Sequence, residues 1–457
     1  MPKPNILCLM TDQQRWDAMG CSGGWVNTPN MDRIASEGVR FSNCVTTSPV
    51  CISARISMAT GLYPHNTGVW QNMEHTLPPE TPTWMQTIRS AGYRTSLFGK
   101  THLHPHKGDL RDREYLLNAY GLDDVNEIGG PRASARVLSH MTADWDEAGL
   151  WEAYQVDFKE RFSKKPNVVR PSTHPLEWYA DTYVGRHAKN YLRDYSRDEP
   201  WFCWVSFGGP HEPWDTPEPF ASQYASDRMP APAPRPESLG PHPGNTLDSR
   251  YENAPILEPG ETDAMRSDYA GNVSLIDAQI GELLDTIEAR GELDCTVIIL
   301  TSDHGEHNGD AGLIYKETFL DGAVRVPMLV RTPDTCNSHA AGRVNDSFVE
   351  WFDAGPTLVE LAGAELTHEQ SAKSLLPTLS DPSLVHRVAA ISEYRQETMI
   401  LDDKWKMAVN EYMEPYLLID RERDPAETQN LAGLPEMETV AEELVGRIKE
   451  RVEMTGL

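Results

Sequence analysis

The stretch "CTVIILTSDHGE", residues 295–306, is a short run of β-branched and other apolar residues that ends in an acidic residue and a histidine. Runs of this length and composition are typical of strands buried on both faces, as in a parallel sheet. A second such run is "NILCLMTDQ", residues 5–13. We therefore predict two buried strands whose carboxyl ends each present a pair of polar side chains: Asp303 and His304 after the one, Asp12 and Gln13 after the other.

Helical patterns alternate with further apolar runs along the chain. Strands are predicted over "YRTSLFGK" (93–100) and "WFCWVSF" (201–207). Helices are predicted over "TPTWMQTIRSAG" (81–92) and "SLIDAQIGELLDTIEARG" (274–291), which carry apolar residues at helical spacing. This alternation indicates an α/β fold in which a large, mostly parallel sheet is sandwiched by helices.

The C-terminal part of the sequence has a different pattern of apolar segments. From about residue 385 short apolar segments follow one another at tight turns, and an amphipathic helix is predicted near 435–454. We predict a catalytic α/β domain over residues 1–380 and a subdomain with a small antiparallel sheet and a terminal helix over residues 381–457. The segment 229–260 is dense in proline and glycine and is predicted to be a surface excursion, with a loop overhanging a pocket as the alternative.

Composition excludes several classes of protein. The formal net charge is −28, which repels nucleic acid and anionic lipid headgroups. The seven cysteines are scattered and contain no CxxC pair, so a disulfide framework or a zinc cluster is not expected. The N-terminus has the pattern of a first strand and not of a secretory signal, and no apolar stretch approaches the ~20 residues of a membrane span. We expect a cytoplasmic protein without membrane contact.

The two polar strand ends can form a metal site. Asp12, Gln13, Asp303 and His304 together offer carboxylate, amide and imidazole ligands suited to Ca²⁺, Mg²⁺ or Mn²⁺, and the histidine favours Mn²⁺ or another transition metal. Taken singly, each pair also has the pattern of helix caps or turn residues.

A helix is predicted over "CISARISMATG" (51–61), with Gly61 as its stop. Cys51 then lies at the helix N-terminus, where the helix dipole favours a thiolate or a bound anion. Arg55 projects from the same face one turn later. The alternative is that Cys51 is a small buried apolar residue like the other cysteines.

The motif "CISARISMATG" resembles the signature of the sulfatase family within the alkaline phosphatase superfamily. Further stretches match that family in order along nearly the whole chain: "TDQ" (11–13), "GKTHL" (99–103), "GPHEPW" (209–214), "SDHGE" (302–306), "YK" (315–316), "RVPMLV" (325–330) and the C-terminal "YLLIDRERDPAETQNLAG".

This resemblance implies an alkaline phosphatase-like fold, a divalent metal held by the two strand-end pairs, and a substrate that is a small anionic ester. It also implies that Cys51 is oxidised to formylglycine, whose hydrate is the nucleophile, and that Arg55 holds it. The positions that match the family's anion-binding and proton-transfer residues are Lys100, His102, His211 and Lys316, and Asn72 is placed like an anion-binding asparagine of the phosphonate hydrolases. Members of the family often form dimers or tetramers.

Two positions of the signature depart from the family pattern: Ser53 and, as a milder change, Ala54, which replaces the usual serine. Ser53 stands where the family has proline or alanine. The enzymes that form formylglycine recognise this stretch, so the sequence does not decide whether Cys51 is converted or stays a thiol. A formylglycine hydrate suits sulfate esters, whereas an unmodified thiolate suits phosphodiesters or phosphonate monoesters. A non-catalytic anion-binding protein is a third alternative. For the histidines near these motifs, at positions 65, 104, 106 and 307, a solvated surface location is predicted.

Overall fold

The computed structural model describes residues 3–258, 260–336 and 338–456. Its strands are β1 (Asn5–Asp12), β2 (Val39–Val45), β3 (Arg94–Gly99), β4 (Asp124–Glu127), β5 (Trp201–Pro210), β6 (Thr296–Ser302), β7 (Met328–Arg331), β8 (Arg343–Glu350), β9 (Ala389–Tyr394), β10 (Glu397–Asp402), β11 (Trp405–Val409) and β12 (Pro415–Asp420).

The α-helices are α1 (Pro29–Glu37), α2 (Cys51–Thr60), α3 (Pro64–Thr67), α4 (Trp84–Ser90), α5 (Glu114–Ala119), α6 (Gly130–Ser134), α7 (His140–Glu147), α8 (Trp151–Lys164), α9 (Ala180–Asp194), α10 (Thr246–Glu252), α11 (Glu261–Ala289), α12 (Asp321–Val324), α13 (Pro333–Cys336), α14 (Ala354–Leu361), α15 (Leu376–Ser380) and α16 (Glu438–Thr455). Short 3-10 helices lie at Leu110–Arg113, Leu176–Trp178, Ser226–Arg228, Leu293–Cys295, Asp310–Gly312, Trp351–Asp353 and Pro435–Met437.

The main sheet, within the described residues, has eight strands in the order β4-β3-β5-β1-β6-β7-β2-β8. Neighbouring strands run parallel except at β7, which pairs antiparallel with β6 and β2. This confirms the predicted large, mostly parallel sheet. The four strands predicted from apolar runs are β3, β5, β1 and β6, which lie side by side in the middle of the sheet, where burial on both faces makes the sequence pattern strongest.

Both faces of the sheet are covered, because successive side chains of a strand point to opposite faces. In β1, Ile6, Cys8 and Met10 belong to a core that includes residues of α2, α4 and α14. Leu7 and Leu9 belong to the opposite core, with residues of α1, α9 and α11. The predicted sandwich of helices around the sheet is therefore present. The helix predicted over 274–291 is the C-terminal part of the longer α11.

The second sheet is antiparallel, with the order β12-β11-β10-β9. On one face Ile400, Met407 and Leu418 pack against Leu444 and Ile448 of α16. The other face packs against residues of the main body and of α10. The predicted small antiparallel sheet and terminal helix are thus confirmed.

The prediction of a plain surface excursion over residues 229–260 is wrong for part of the segment. It contains α10, whose Leu247 and Tyr251 are buried beside the second sheet. The longest stretch of this segment without proline or glycine is residues 245–254, and two large apolar residues within so short a stretch do not predict a helix. Arg250 of the same helix lines the cavity described below, so the alternative, a segment that borders a pocket, describes it better.

The structure describes the pairing of the cysteines and the apolar character of the helices. All seven cysteines are free thiols. Among the described residues, no helix combines the length and the apolar character that crossing a bilayer requires.

Gly99, the last residue of β3, is a position where glycine is required. Its φ of 120° is one that side chains rarely adopt, and a Cβ there would lie 1.8 Å from the carbonyl oxygen of Ser206. We expect Gly99→Ala to lower the free energy of unfolding by ~3 kcal/mol or more, because both backbone strain and a clash in a paired strand must be relieved. Denaturant unfolding tests this, with the solvent-facing Gly446→Ala as the control; an unchanged midpoint for Gly99→Ala would contradict the assigned clash.

Candidate active site

Four neighbouring strands of the main sheet end at one edge and carry predicted site residues there. β1 and β6 pair in parallel register up to the residues just before Asp12 and Asp303. β5, on the other side of β1, is followed directly by His211, and β3, next to β5, is followed by Lys100. The carboxyl edge of a parallel sheet is where ligand sites form in α/β folds. The strand order therefore brings together residues that are as far as 291 positions apart, as the hydrogen bonds between these ends show.

Arg55 joins the two strand-end carboxylates. Its Nε donates to Asp303 Oδ2 at 2.8 Å, and its Nη2 donates to Asp12 Oδ2 at 3.1 Å. Nη1 donates to the carbonyl oxygen of Lys100 at 2.7 Å and to the hydroxyl of Ser206 at 3.0 Å. The three ion-paired side chains are fully buried. Because an unpaired buried carboxylate is strongly destabilising, the two ion pairs with Arg55 stabilise both carboxylates in the interior. The resemblance places Arg55 on the nucleophile, whereas here its donors reach the carboxylates.

Cys51 is the first residue of α2 and is 2 % exposed. Its Sγ lies 3.0 Å from His304 Nε2, 3.2 Å from Lys316 Nζ and 3.9 Å from Asp12 Oδ1. The helix ends where the sequence predicts, at Gly61 in the left-handed conformation with φ 71°. The helix N-terminus thus points its first residue directly at the strand ends.

The electrostatic surroundings of Cys51 differ from those of the other cysteines. Burial alone raises the pKa of its thiol, but the charges of Lys100, Lys316 and His304 outweigh burial and lower that pKa well below the usual value. Burial lowers the pKa of His304, and Asp303 more than restores it. For the remaining thiols, burial raises the pKa; these are Cys8, Cys21, Cys44, Cys203, Cys295 and Cys336. Cys51 is the cysteine whose environment stabilises a thiolate.

Three of the four predicted metal ligands, Asp12, Asp303 and His304, form a compact donor set together with Cys51. One ligand atom from each of Asp12, Cys51, Asp303 and His304 lies within 4.8 Å of the others, and all four residues are buried. His304 Nδ1 donates to the carbonyl oxygen of Gly305 at 3.0 Å, which leaves Nε2 as the ligand nitrogen. A backbone carbonyl on the other ring nitrogen is the usual arrangement of a metal-binding histidine. Two carboxylates and one imidazole fit a divalent cation.

Gln13, the fourth predicted ligand, is held by its neighbours. Its Nε2 donates to Glu212 Oε2 at 2.8 Å and also to the carboxylate of Glu306. Its Oε1 accepts a hydrogen bond from Lys316 Nζ at 2.6 Å. Because two carboxylates use the amide protons, Oε1 is the atom that remains for a cation. The sequence interpretation gave no role to Glu212 and Glu306; their place inside "GPHEPW" and "SDHGE" is the signal that was available.

A cavity of about 330 Å³ opens onto Cys51. Every predicted anion-binding and proton-transfer residue borders it, namely Asn72, Lys100, His102, His211 and Lys316. The structure therefore places these five predicted residues at one cavity that Cys51 also borders.

Hydrogen bonds orient two of these lining residues, His211 and Asn72, and the surroundings of His102 determine its charge. His211 Nδ1 donates to the carbonyl oxygen of Glu212 at 2.8 Å, which leaves Nε2 for a ligand. Burial, Lys100 and His106 lower the pKa of His102 well below its usual value, so this ring is neutral. Asn72 Oδ1 accepts from the backbone N–H of Ile52 at 3.0 Å and so caps the first turn of α2.

The prediction that four further histidines lie on solvated surface is wrong. The rings of His65, His104, His106 and His307 are largely buried. Each ring has a polar partner: Glu127 for His104 and His106, Glu393 for His65, and Thr318 for His307. A satisfied hydrogen bond removes most of the penalty of burying an imidazole, and sequence pattern does not reveal such partners.

A cluster of buried carboxylates lies behind the segment that carries His211. Asp181 accepts hydrogen bonds from the backbone N–H groups of Gly208 and Gly209 at 2.8 and 3.0 Å. Asp268 of α11 accepts from the N–H of Thr216 at 3.1 Å. Burial and the neighbouring Asp215 raise the pKa of Asp268 to about 8. The surroundings of Asp268 therefore favour its protonated form.

This shift predicts a pH-dependent stability. The folded pKa of Asp268 lies above its unfolded value of 3.8, so its contribution to stability is complete below that value and is lost as pH rises to about 8. Asp268→Asn removes this loss. We expect the Tm of the variant, relative to that of the unmodified protein, to rise between pH 5 and pH 8, because the difference in the free energy of unfolding grows by at most about 1 kcal/mol per pH unit. The exposed Asp285→Asn on the same helix is the control; a Tm difference that stays constant or falls with pH would contradict the protonated state.

Comparison with known proteins identifies the family. Residues 4–364 match the family described as Sulfatase, and residues 309–454 match the family described as N-sulphoglucosamine sulphohydrolase, C-terminal. The chain belongs to the sulfatase family. This confirms the resemblance drawn from the motifs.

Sulfatase-family relatives span almost the whole chain. The multifunctional alkaline phosphatase superfamily protein PehA of Trinickia caryophylli is 28% identical, with 95% of this chain and 92% of the relative covered. The choline-sulfatase of Rhizobium meliloti is 29% identical, with coverages of 95% and 83%. The crystal structure of the phosphonate monoester hydrolase of Agrobacterium radiobacter has the same fold, with a TM-score of 0.80, 24% identity and coverages of 99% and 96%. The fold is thus alkaline phosphatase-like, and the protein is a sulfatase-family hydrolase of sulfate or phosphate esters.

Proposed function

We propose that this protein hydrolyses small sulfate monoesters, which are anionic, through a covalent intermediate on residue 51. The observation that carries this proposal is the position of Cys51 Sγ, which lies beside the ligand atoms of Asp12, Asp303 and His304 and at the floor of a cavity bordered by cationic side chains. A nucleophile, a site for a divalent cation and an anion pocket therefore meet at one point. The net charge of −28 makes such a local positive region necessary for binding an anion.

In this proposal the lining residues bind the ester group. Lys100 and Lys316 are buried ammonium groups at the cavity wall, and His102 is a neutral donor beside them. Their hydrogen bonds to the nonbridging oxygens strengthen as negative charge spreads over these oxygens in the transition state. Asn72 adds an amide at the cavity entrance.

We propose one divalent ion, Mn²⁺ or Ca²⁺ with Mg²⁺ as a further option, held by Asp12, Gln13, Asp303 and His304. When bound, such an ion supplies positive charge that polarises the ester and supports an ionised nucleophile. Arg55 fixes both carboxylates in place, and Gly305 fixes the ring of His304.

The proton for the leaving group comes from His211. The nucleophile on residue 51 attacks sulfur or phosphorus, the bond from that atom to the ester oxygen breaks, and the departing alkoxide takes a proton from His211 Nε2. Nδ1 of this ring is held by a backbone carbonyl, which orients Nε2 toward the cavity. For a formylglycine hydrate, the same ring then accepts the proton of the remaining hydroxyl group, the aldehyde forms again, and the bond from its carbon to the sulfate oxygen breaks to release the product.

A second candidate function is hydrolysis of phosphodiesters or phosphonate monoesters by unmodified Cys51. Ser53 favours it, because the departure from the signature lies within the stretch that guides conversion to formylglycine. Ser53 is completely buried in α2, and its Oγ has no hydrogen-bond partner among the described residues. The helix therefore tolerates the serine without using it.

A panel of nitrophenyl esters separates these functions. The purified protein is assayed with nitrophenyl sulfate, phosphate, bis-phosphate and phenylphosphonate, each with Mn²⁺ and with Ca²⁺. We expect the sulfate to give the highest kcat/KM. Faster turnover of the bis-phosphate or the phenylphosphonate would replace the first function by the second, and activity on none of them would favour a non-catalytic anion-binding protein.

The mass of the peptide that contains residue 51 complements the panel. Conversion to formylglycine makes this peptide lighter by the difference between a thiol and an aldehyde. We expect the lighter peptide together with sulfatase activity. An unshifted mass together with phosphodiesterase activity would show that the plain thiol is the nucleophile.

A further inference from the structure

The cavity above Cys51 extends beyond the residues that the ester group needs. Besides the candidate catalytic side chains, its lining includes three arginines: Arg132, Arg136 and Arg250. In total five basic side chains border the cavity but only two acidic ones, Glu212 and Glu317. This excess of positive charge occurs in a chain whose net charge is −28, so it is a local feature of the cavity.

The inner cations are already engaged. Lys316 Nζ donates to Gln13 Oε1 at 2.6 Å and to Cys51 Sγ at 3.2 Å. Lys100 Nζ is paired with the carboxylate of Asp12. These two ammonium groups border the cavity together with Cys51, where the proposed ester group binds.

Two of the three arginines have partial partners. Arg132 Nε donates to Glu212 Oε1 at 2.6 Å, and its guanidinium lies over the ring of Tyr315 at 5.1 Å. Its side chain is nevertheless 43% exposed. Arg250 pairs with Glu317 at 3.3 Å, and its buried Nε has no partner among the described residues. These contacts hold the guanidinium groups of Arg132 and Arg250 in place, and some of their N–H groups remain available to bind a ligand.

Arg136 is the cation without a counter-charge. It is exposed, it lines the cavity, and its guanidinium forms no ion pair with any residue that the structure describes. An arginine that faces a cavity with all five N–H donors available is suited to bind a carboxylate, sulfate or phosphate in a bidentate manner.

We propose that the substrate carries a second anionic group on its alcohol portion, held at the cavity entrance by Arg136 with Arg132 beside it. This inference rests on the proposed function, since it describes the other end of the same substrate. It names a class: an ester whose alcohol bears a carboxylate, sulfate or phosphate. Esters of a cationic alcohol, such as a quaternary ammonium alcohol, are disfavoured because the arginines repel a positive charge.

The test uses two substrates that differ by one charge. These are 4-(sulfooxy)phenylacetate and its methyl ester, whose leaving groups are closely matched, or the same pair made as the ester type that the nitrophenyl panel ranks first. We expect kcat/KM of the acid to exceed that of the methyl ester at least ~10-fold, and Arg136→Ala to bring this ratio close to one. Arg197→Ala, an exposed arginine that does not line the cavity, should keep the ratio. Equal kcat/KM for the two substrates, or a ratio that Arg136→Ala leaves unchanged, would overturn the second-anion site.

Binding separates failure of this inference from failure of the proposed function. Calorimetry on the Cys51→Ala variant, which retains Arg136, measures affinity for the same pair without turnover. Tighter binding of the acid, lost in the Cys51→Ala, Arg136→Ala double variant, supports the second-anion site even if neither ester is hydrolysed by the unmodified protein. That outcome would contradict the proposed hydrolysis and would still support the second-anion site. Equal affinity for acid and methyl ester refutes the site whatever the activity.

Discussion

Cys51→Ala is expected to lower kcat at least ~10³-fold on the best substrate, because the variant loses the atom that forms the covalent intermediate. Alanine removes only the sulfur from the first residue of α2, and the helix keeps its other contacts. The bound metal should remain at one ion per chain, since Asp12, Gln13, Asp303 and His304 are unchanged. Steady-state kinetics and elemental analysis on the same preparation measure both quantities.

The exposed Cys295→Ala is the matched control and should retain full activity. If Cys51→Ala kept more than about a tenth of the activity, residue 51 would not be the nucleophile. If it lost metal together with activity, Sγ would be a structural metal ligand, and the loss of turnover would no longer identify a nucleophile.

Asp303→Ala and Asp12→Ala are expected to abolish both metal binding and turnover. Each variant removes a buried carboxylate from the donor set and leaves Arg55 with one anionic partner fewer. Removing a residue that only hydrogen-bonds to a metal ligand typically weakens metal affinity by about 10–100-fold. Removing a ligand itself should therefore weaken the affinity by at least ~100-fold. Metal titration monitored by calorimetry gives the affinity, and kcat/KM gives the activity.

Asp285→Ala, an exposed aspartate on α11, is the control for these variants and should bind metal normally. Circular dichroism must show that the variants are folded, because Arg55 is buried and needs its counter-charges. Full metal occupancy in both folded variants would exclude these carboxylates as ligands.

The centre of the fold could be predicted from the sequence because its physical constraints are strong. β3, β5, β1 and β6 are buried on both faces, so their sequences are continuous apolar runs. The polar residues at their ends stand out against these runs, and parallel pairing places them on one edge. The placement of Asp12 and Asp303 at the same edge of the sheet follows from this reasoning, whereas the adjacency of β1 and β6 was established by the structure.

The outer strands and the supporting contacts could not be predicted in this way. β2, "VRFSNCV", alternates buried and partly exposed residues and contains polar side chains, so its sequence carries little strand signal. The buried histidines near the motifs depend on carboxylates that come from other parts of the chain, such as Glu127 for His104. Contacts between residues far apart in sequence have no local pattern. The domain boundary between residues 380 and 381 stays a prediction.

For the site, residue types were predictable and their partners were not. The motifs indicated Gln13 and Lys316, but the structure adds that Gln13 donates to Glu212 and Glu306 and accepts from Lys316. The three arginines of the cavity are scattered through helical and irregular segments, and Arg250 lies in a segment interpreted as an excursion. Their convergence required the tertiary structure.

The central claim is that a divalent cation lies directly beneath residue 51, between the ends of β1 and β6. A crystal structure of the protein with Mn²⁺ and a bound sulfate or phosphate, with the metal located by anomalous scattering, tests this claim most directly. We predict one metal peak contacted by Asp12, Gln13, Asp303 and His304, with the anion between it, residue 51 and Lys316. A metal peak at another site, or an anion bound away from residue 51, would contradict the account.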